Sequence, residues 1–346
     1  MLENRETELD ILRLFATVAV IMTHVCGSII HNISVKSIDF IVLNVIRSAI
    51  TWDVPIFIMI SGRFFLDLEK KITIKNIVKK NIKHLLYVFF AWSLIYTSFY
   101  YITSENIYTL KEIIFELLIG PYHMWFIIML IFLYLITPIL RKIIEDKKIT
   151  EYFILLFFIC QFLYQYGINL PYIGVIIDAM LNKSYFYLAL GYTGYYVLGY
   201  YLYRYDIPKK IENILYAMII PLIIFSCIGT TVNSFFSNEL NEFISTYQTP
   251  NIIVETCGIY MIFCKKMSKI KFGEKAKKIF FKLSTNGLGV YLSHALVLEI
   301  LNLFGIQINL SMIIISVFFI TFLTYIISFI SVNILSKIPF LKRFIL

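Results

Sequence analysis

Ten stretches of this chain, near 9–30, 40–66, 83–102, 122–140, 150–166, 185–203, 212–232, 250–264, 284–304 and 311–335, are apolar. Their lengths suit the roughly 30 Å of hydrocarbon in a bilayer. A backbone in lipid must satisfy its own amides, so each stretch is expected to be a helix. The chain thus reads as all-α, a polytopic membrane protein of about ten transmembrane helices. Composition agrees: 59% of residues are hydrophobic and 15% charged, where a soluble domain has about 25% charged. No segment between the runs is long enough to fold alone, so residues 1–346 form a single integral-membrane domain.

A net charge of +9 would suggest nucleic acid in a soluble chain. Here the cations fall in alternate loops, which excludes that partner. With the N-terminus in the cytoplasm, the inner side collects six Lys and Arg in 67–83, four in 141–148, three in 204–210 and eight in 265–282. The outer loops keep only Lys36, Lys111 and Lys183. A missed or spurious helix would invert this asymmetry, so the positive-inside rule favours ten spans with both termini cytoplasmic. The opening "MLENRETELD" has no basic signal-peptide region, and the first run is expected to stay as an anchor. The five cysteines lie scattered in apolar segments without CxxC spacing, which suggests neither disulfides nor a metal site.

The first run, "LDILRLFATVAVIMTHV", carries Arg13 and His24. An Arg at a bilayer centre costs roughly 2.5–3.5 kcal/mol on insertion scales. Eleven residues at about 100° each come within roughly 20° of three full turns, so the two side chains share a face about 16 Å apart. Asp10, Thr17, Ser28 and His31 fall on that face too, and Asp10 can pair with Arg13 at i,i+3. Such a stripe can belong to an interior helix whose polar groups merely satisfy one another. Six polar residues on one face favour a functional track, because a dry core rarely needs one. Cys26 lies on the opposite face from His24, which excludes a Cys–His nucleophile pair within this helix.

Arg63, after Ser61 and Gly62, comes at a depth similar to Arg13. It either snorkels to lipid phosphates or joins Arg13 in an anion pocket facing the cytoplasm. Asp53, before Pro55, is expected to pair with Arg47 or another buried base. His123 and Trp125 open the fourth run at the outer interface, where Trp is an ordinary belt residue and His is not. His294 falls near mid-membrane with Tyr291 one turn before it, and Glu255 and Glu299 lie towards the outside.

"LDILRLFATVAVIMTH", with its R-x10-H spacing, resembles the integral-membrane acyltransferase-3 family, and "VPIFIMISG", "YHMWFIIMLIFLYLITPIL" and "LGVYLSHAL" resemble three further blocks in order. The resemblance spans nearly the whole chain. It is strongest to small polysaccharide O-acetyltransferase and O-succinyltransferase members, such as the type that modifies enterobacterial common antigen. It implies a multi-pass enzyme of a prokaryotic plasma membrane that moves an acyl group, from acetyl-CoA or another acyl-CoA, to a hydroxyl of an extracytoplasmic or lipid-linked glycan. No metal is implied. By motif position Arg13 and His24 are the essential pair, with Ser61, Gly62 and the block holding His123 and Trp125 lining the site. Arg63 departs from the aromatic or aliphatic residue usual in the family, so its donor-binding role rests on charge alone.

The expected chemistry follows. Arg13 and Arg63 hold the donor phosphates, and His24 acts as general base or receives the acyl group. Asp10, Tyr291, His294 and His123 line the substrate path. The rival is a transporter or flippase for a glycan precursor, since polar stripes also line permeation routes.

Overall fold

The computed structural model describes residues 6–103, 109–184 and 191–338. Among these there are helices and no strands, so the chain is an all-α polytopic membrane protein.

Helix α1 (Thr7–Ile30) is the hub. It packs against α2 (Ile38–Ile50), α3 (Asp53–Phe65), α12 (Glu274–Thr285), α13 (Gly287–Leu303) and α14 (Ile313–Leu335). Leu9, Leu12, Ala16 and Val20 are buried on its length, and so are Asp10 and Thr17. The helix with the polar stripe therefore lies inside the bundle, where polar groups can meet protein instead of lipid. Helix α10 (Lys209–Ser237) is the contrast: only 11% of its most apolar window is buried, as expected of a helix that faces hydrocarbon.

The run at 40–66 forms two helices. The chain turns at Thr51 and Trp52, and Pro55 falls in the first turn of α3, where its missing amide costs no helical bond. Asp53 accepts from the Thr23 hydroxyl at 2.8 Å, while Arg47 pairs with Glu242. The expected Asp53–Arg47 ion pair is replaced by these two contacts. A short helical turn and a π-helical segment (Ile77–Ile82) lead into α4 (Lys83–Thr103). Then α5 (Leu110–Ile119), opened by a capping box of Thr109 and Glu112, ends at Gly120 with φ +72°. A 3-10 turn over Tyr122–Met124 feeds α6 (Trp125–Ile143), followed by α7 (Lys147–Gln165), α8 (Gly174–Ser184), α9 (Thr193–Arg204) and α11 (Pro250–Met261) around α10.

Among the described residues, seven helices or helix pairs are long and apolar enough to cross a membrane by themselves. Three of the ten expected spans are shorter: α9 and α11 have 12 residues each and α13 has 17. The first part of the run at 185–203 lies outside the described residues. The shortening has a physical reason. Thr193–Tyr200, most of α11 and Gly289–Ala295 are buried in protein, so much of each helix meets neighbouring chain instead of lipid. Helix α11 is also prolonged by a π-helical segment, Ile262–Lys266.

Helices α3 and α9 touch backbone to backbone. A Cβ at Gly62 would lie 1.8 Å from the Tyr196 carbonyl oxygen, and one at Gly199 would lie 2.0 Å from that of Met59. Small residues at a crossing permit this approach. It holds the C-terminal end of α3, and with it Arg63, against the bundle.

Candidate active site

Two cavities reach the polar stripe of α1 from its two ends. The first, about 1150 Å³, is lined by Arg13 and Ser61, by Arg63, Lys70, Lys80 and His84, and at its deep end by Phe126 and Tyr291. The second, about 820 Å³, is lined by His24, Ser28, His31, Arg47, Tyr122 and Glu299. They share no lining residue.

At the first cavity Asp10 is buried and accepts from Arg13 at 3.0 Å, which steers the guanidinium to a place 5.1 Å from the Phe64 ring centroid. Arg63 is buried, with its guanidinium over the Tyr203 ring at 3.3 Å. It pairs with Glu6 and, at 3.5 Å, with Asp67, while the Tyr203 hydroxyl donates to Glu6 at 2.7 Å. Snorkelling to lipid is thereby excluded for Arg63, which is braced by protein on three sides. The loop after α3 is fixed in turn by Arg141, which donates to the carbonyls of Phe65, Asp67 and Lys70 at 3.0, 2.8 and 3.0 Å. That brace carries Lys70 into the cavity wall, with its ammonium 4.4 Å from the Phe64 centroid. Burial lowers the Lys70 pKa from its ordinary value; the charge of Arg63 also lowers it, and Asp67 opposes both. The wall holds four basic side chains, Arg13, Arg63, Lys70 and Lys80, and His84 against Glu6 and Asp67, an excess that suits an anion.

Between the cavities three imidazoles meet. His24 lies 5.0 Å from His294 and 6.4 Å from His123, and His123 lies 5.3 Å from His294, centroid to centroid. Each comes from a different element. His24 is delivered by α1, His294 by α13, and His123 by the 3-10 turn that follows Gly120 and Pro121. That turn sends His123 inward (1% exposed) and leaves Tyr122 beside His24, its hydroxyl 3.4 Å from Nδ1. The Tyr291 hydroxyl donates to the His123 carbonyl, His294 Nδ1 bonds the Tyr291 carbonyl, and His123 Nε2 bonds the Leu292 carbonyl at 3.4 Å. Tyr96 braces the same turn of α13. Its hydroxyl donates to the Leu292 carbonyl and accepts from the Leu296 amide, both at 2.8 Å, between two groups that a regular helix joins directly.

Several expected site residues therefore converge. Arg13, Arg63, Ser61 and Tyr291 line one cavity, His24 lines the other, and His123 and His294 sit where they approach each other. Two do not. Gly62 is turned to the Tyr196 backbone of α9 and serves packing, because any larger residue would collide there. Trp125 points into an aromatic group with Tyr192 and Tyr247, at 5.4 and 6.2 Å, away from the histidines. Asp10 acts through Arg13 and lines neither cavity. Lys80, His84, Tyr96 and Tyr122 were not singled out by sequence. Tyr122 belongs to a recognised block, whereas Tyr96 is one of many tyrosines and carried no signal.

Among the described residues no group of three or more His, Cys, Asp or Glu side chains is disposed to hold a metal. An imidazole cluster joined to a cationic cavity suits proton transfer next to an anionic substrate. No curated protein and no solved structure matches the chain. The family model for the acyltransferase domain matches residues 6–332, from the residue before α1 to the last turn of α14, and takes in both cavities and all three histidines. The chain belongs to the acyltransferase-3 family and is a membrane acyltransferase.

Proposed function

We propose that the protein transfers an acyl group, acetyl in the simplest case, from an acyl-CoA in the Arg13 cavity to a hydroxyl of a glycan or lipid-linked sugar in the His24 cavity. It belongs on this reading to the small polysaccharide O-acetyltransferases and O-succinyltransferases of a prokaryotic plasma membrane. One observation carries the reading: a single helix presents Arg13 to one cavity and His24 to the other, with the histidine cluster between. CoA is a polyanion, and the first cavity offers guanidinium and ammonium groups for its phosphates. The second cavity is polar beside His24, with Ser28, Asn32, Asn302 and Gln307 in its wall, the groups that bind sugar hydroxyls.

In the reaction so drawn, His24 takes the proton of the acceptor hydroxyl. The oxygen bonds the acyl carbon, the carbon–sulfur bond breaks with its electron pair going to sulfur, and the imidazolium returns the proton to the thiolate. Arg13 and Arg63 bind and orient the donor. Tyr291, at the deep end of the first cavity, marks where the thioester approaches the histidines.

The test is reconstitution in liposomes. Acyl-labelled CoA is supplied on the Arg13 side, and a glycan and its lipid-linked form on the His24 side. The label is expected on the acceptor, with one thiol released per acyl group moved. Relocation of unmodified acceptor without thiol release would instead make the protein a transporter or flippase.

A further inference from the structure

The three histidines differ in what their ring nitrogens can do. A carbonyl oxygen only accepts, so a ring nitrogen bonded to one carries the hydrogen. His294, whose Nδ1 bonds the Tyr291 carbonyl, is the Nδ1–H tautomer with a bare Nε2. His123, whose Nε2 bonds the Leu292 carbonyl, is the Nε2–H tautomer with a bare Nδ1. Both bare nitrogens are buried, and neither has a hydrogen-bond partner. Two neighbouring imidazoles are thus locked as acceptors, and buried acceptors are rarely left unmet. His24 is the ring that adjoins both. Its Nδ1 lies on the side of the Tyr122 hydroxyl, and Tyr122 and His24 face the outer cavity together.

We propose that His294 is a positioning residue for His24: at 5.0 Å between centroids a small turn of the His24 ring brings its Nε2–H onto the bare Nε2 of His294, which fixes that tautomer and leaves Nδ1 as the base toward the acceptor hydroxyl. The proposal rests on the acyl-transfer reading above for its chemistry but not for its geometry. It gives His24 the support that a catalytic imidazole needs, an orienting acceptor behind the nitrogen that does no chemistry. Here the acceptor is a neutral imidazole, locked by backbone carbonyls, where other enzymes use a carboxylate. When the acceptor O–H breaks, its proton bonds to Nδ1 and the electron pair stays on oxygen, which attacks the acyl carbon. The Nε2–H then belongs to a cation, and its bond to His294 strengthens as the charge develops. Once the carbon–sulfur bond has broken, the proton on Nδ1 passes to the sulfur. Tyr96, placed between Leu292 and Leu296, holds the Leu292 carbonyl that locks His123.

Solid-state NMR of the 15N-histidine-labelled protein in bilayers reads the tautomers without turnover. The expected spectrum has Nδ1–H at His294 and Nε2–H at His123 and His24. In His294→Leu the His24 signal should become a mixture of tautomers. Transfer kcat should fall on the order of a hundredfold, with the acyl-CoA KM within about threefold. His294→Gln, whose amide oxygen still accepts, should stay within about tenfold of wild type, a rescue that mere packing would not follow. An Nδ1–H tautomer at His24 in the wild-type spectrum, or full kcat in His294→Leu, overturns the assignment. Failure of the wild type to transfer from acyl-CoA sinks the functional reading alone, and the spectrum still decides this one.

Discussion

At residue scale the cationic cavity depends on how one guanidinium is shared. Arg63 neutralises Glu6 and Asp67 and also faces the cavity, so its removal subtracts a cation and uncovers two carboxylates. Arg63→Ala is expected to raise the acyl-CoA KM about tenfold or more with kcat little changed, the pattern of lost uniform binding. A fall in kcat at saturating donor would instead place Arg63 against the reacting atoms. His24→Ala should lower transfer by on the order of 10²–10⁴-fold at unchanged protein abundance in the membrane, measured on the same samples. Near-wild-type transfer would remove His24 from the chemistry. The Asp10–Arg13 pair and the shared face of Arg13 and His24 were legible from spacing along one helix. The partners of Arg63 were not, because Glu6 and Tyr203 reach it across 57 and 140 positions of chain, and periodicity carries no information at that range.

At the scale of elements, the α3–α9 crossing sets how closely Arg63 meets Tyr203. Gly62→Ala forces a Cβ toward the Tyr196 carbonyl and is expected to destabilise the protein at the upper end of about 1–3 kcal/mol. Thermal unfolding in detergent measures it, and an unchanged midpoint would mean that the helices part without cost. From sequence, Ser61 and Gly62 were both placed on the site. Gly62 supplies the approach, and Ser61 supplies the lining. Helices were easy to foresee wherever apolar runs were long. Those at α9, α11 and α13 are shorter than foreseen because hydropathy registers apolar composition equally whether lipid or protein surrounds it. The turn that swings His123 inward depends on Gly120, Pro121 and the three 3-10 residues Tyr122–Met124, and a hydropathy pattern does not encode a direction.

At the scale of the molecule, charge distribution sets orientation. A Cys at position 75 or 272 is expected to resist a membrane-impermeant thiol reagent in intact cells, and one at 238 to react, in a background without reactive native cysteines. Labelling at 272 from outside would reverse the side from which the donor enters. The two cavities also make the protein an electrical element. From the wall of one to the wall of the other, through Tyr291, His294 and His24, there are two ring contacts, 5.7 and 5.0 Å between centroids. If water fills both cavities, most of the membrane voltage falls across that short partition. The rings there must insulate as well as react, and Tyr291→Ala in proton-tight liposomes should dissipate an imposed pH gradient faster than wild type. An acyltransferase of this design works inside the thinnest part of its cell's own dielectric.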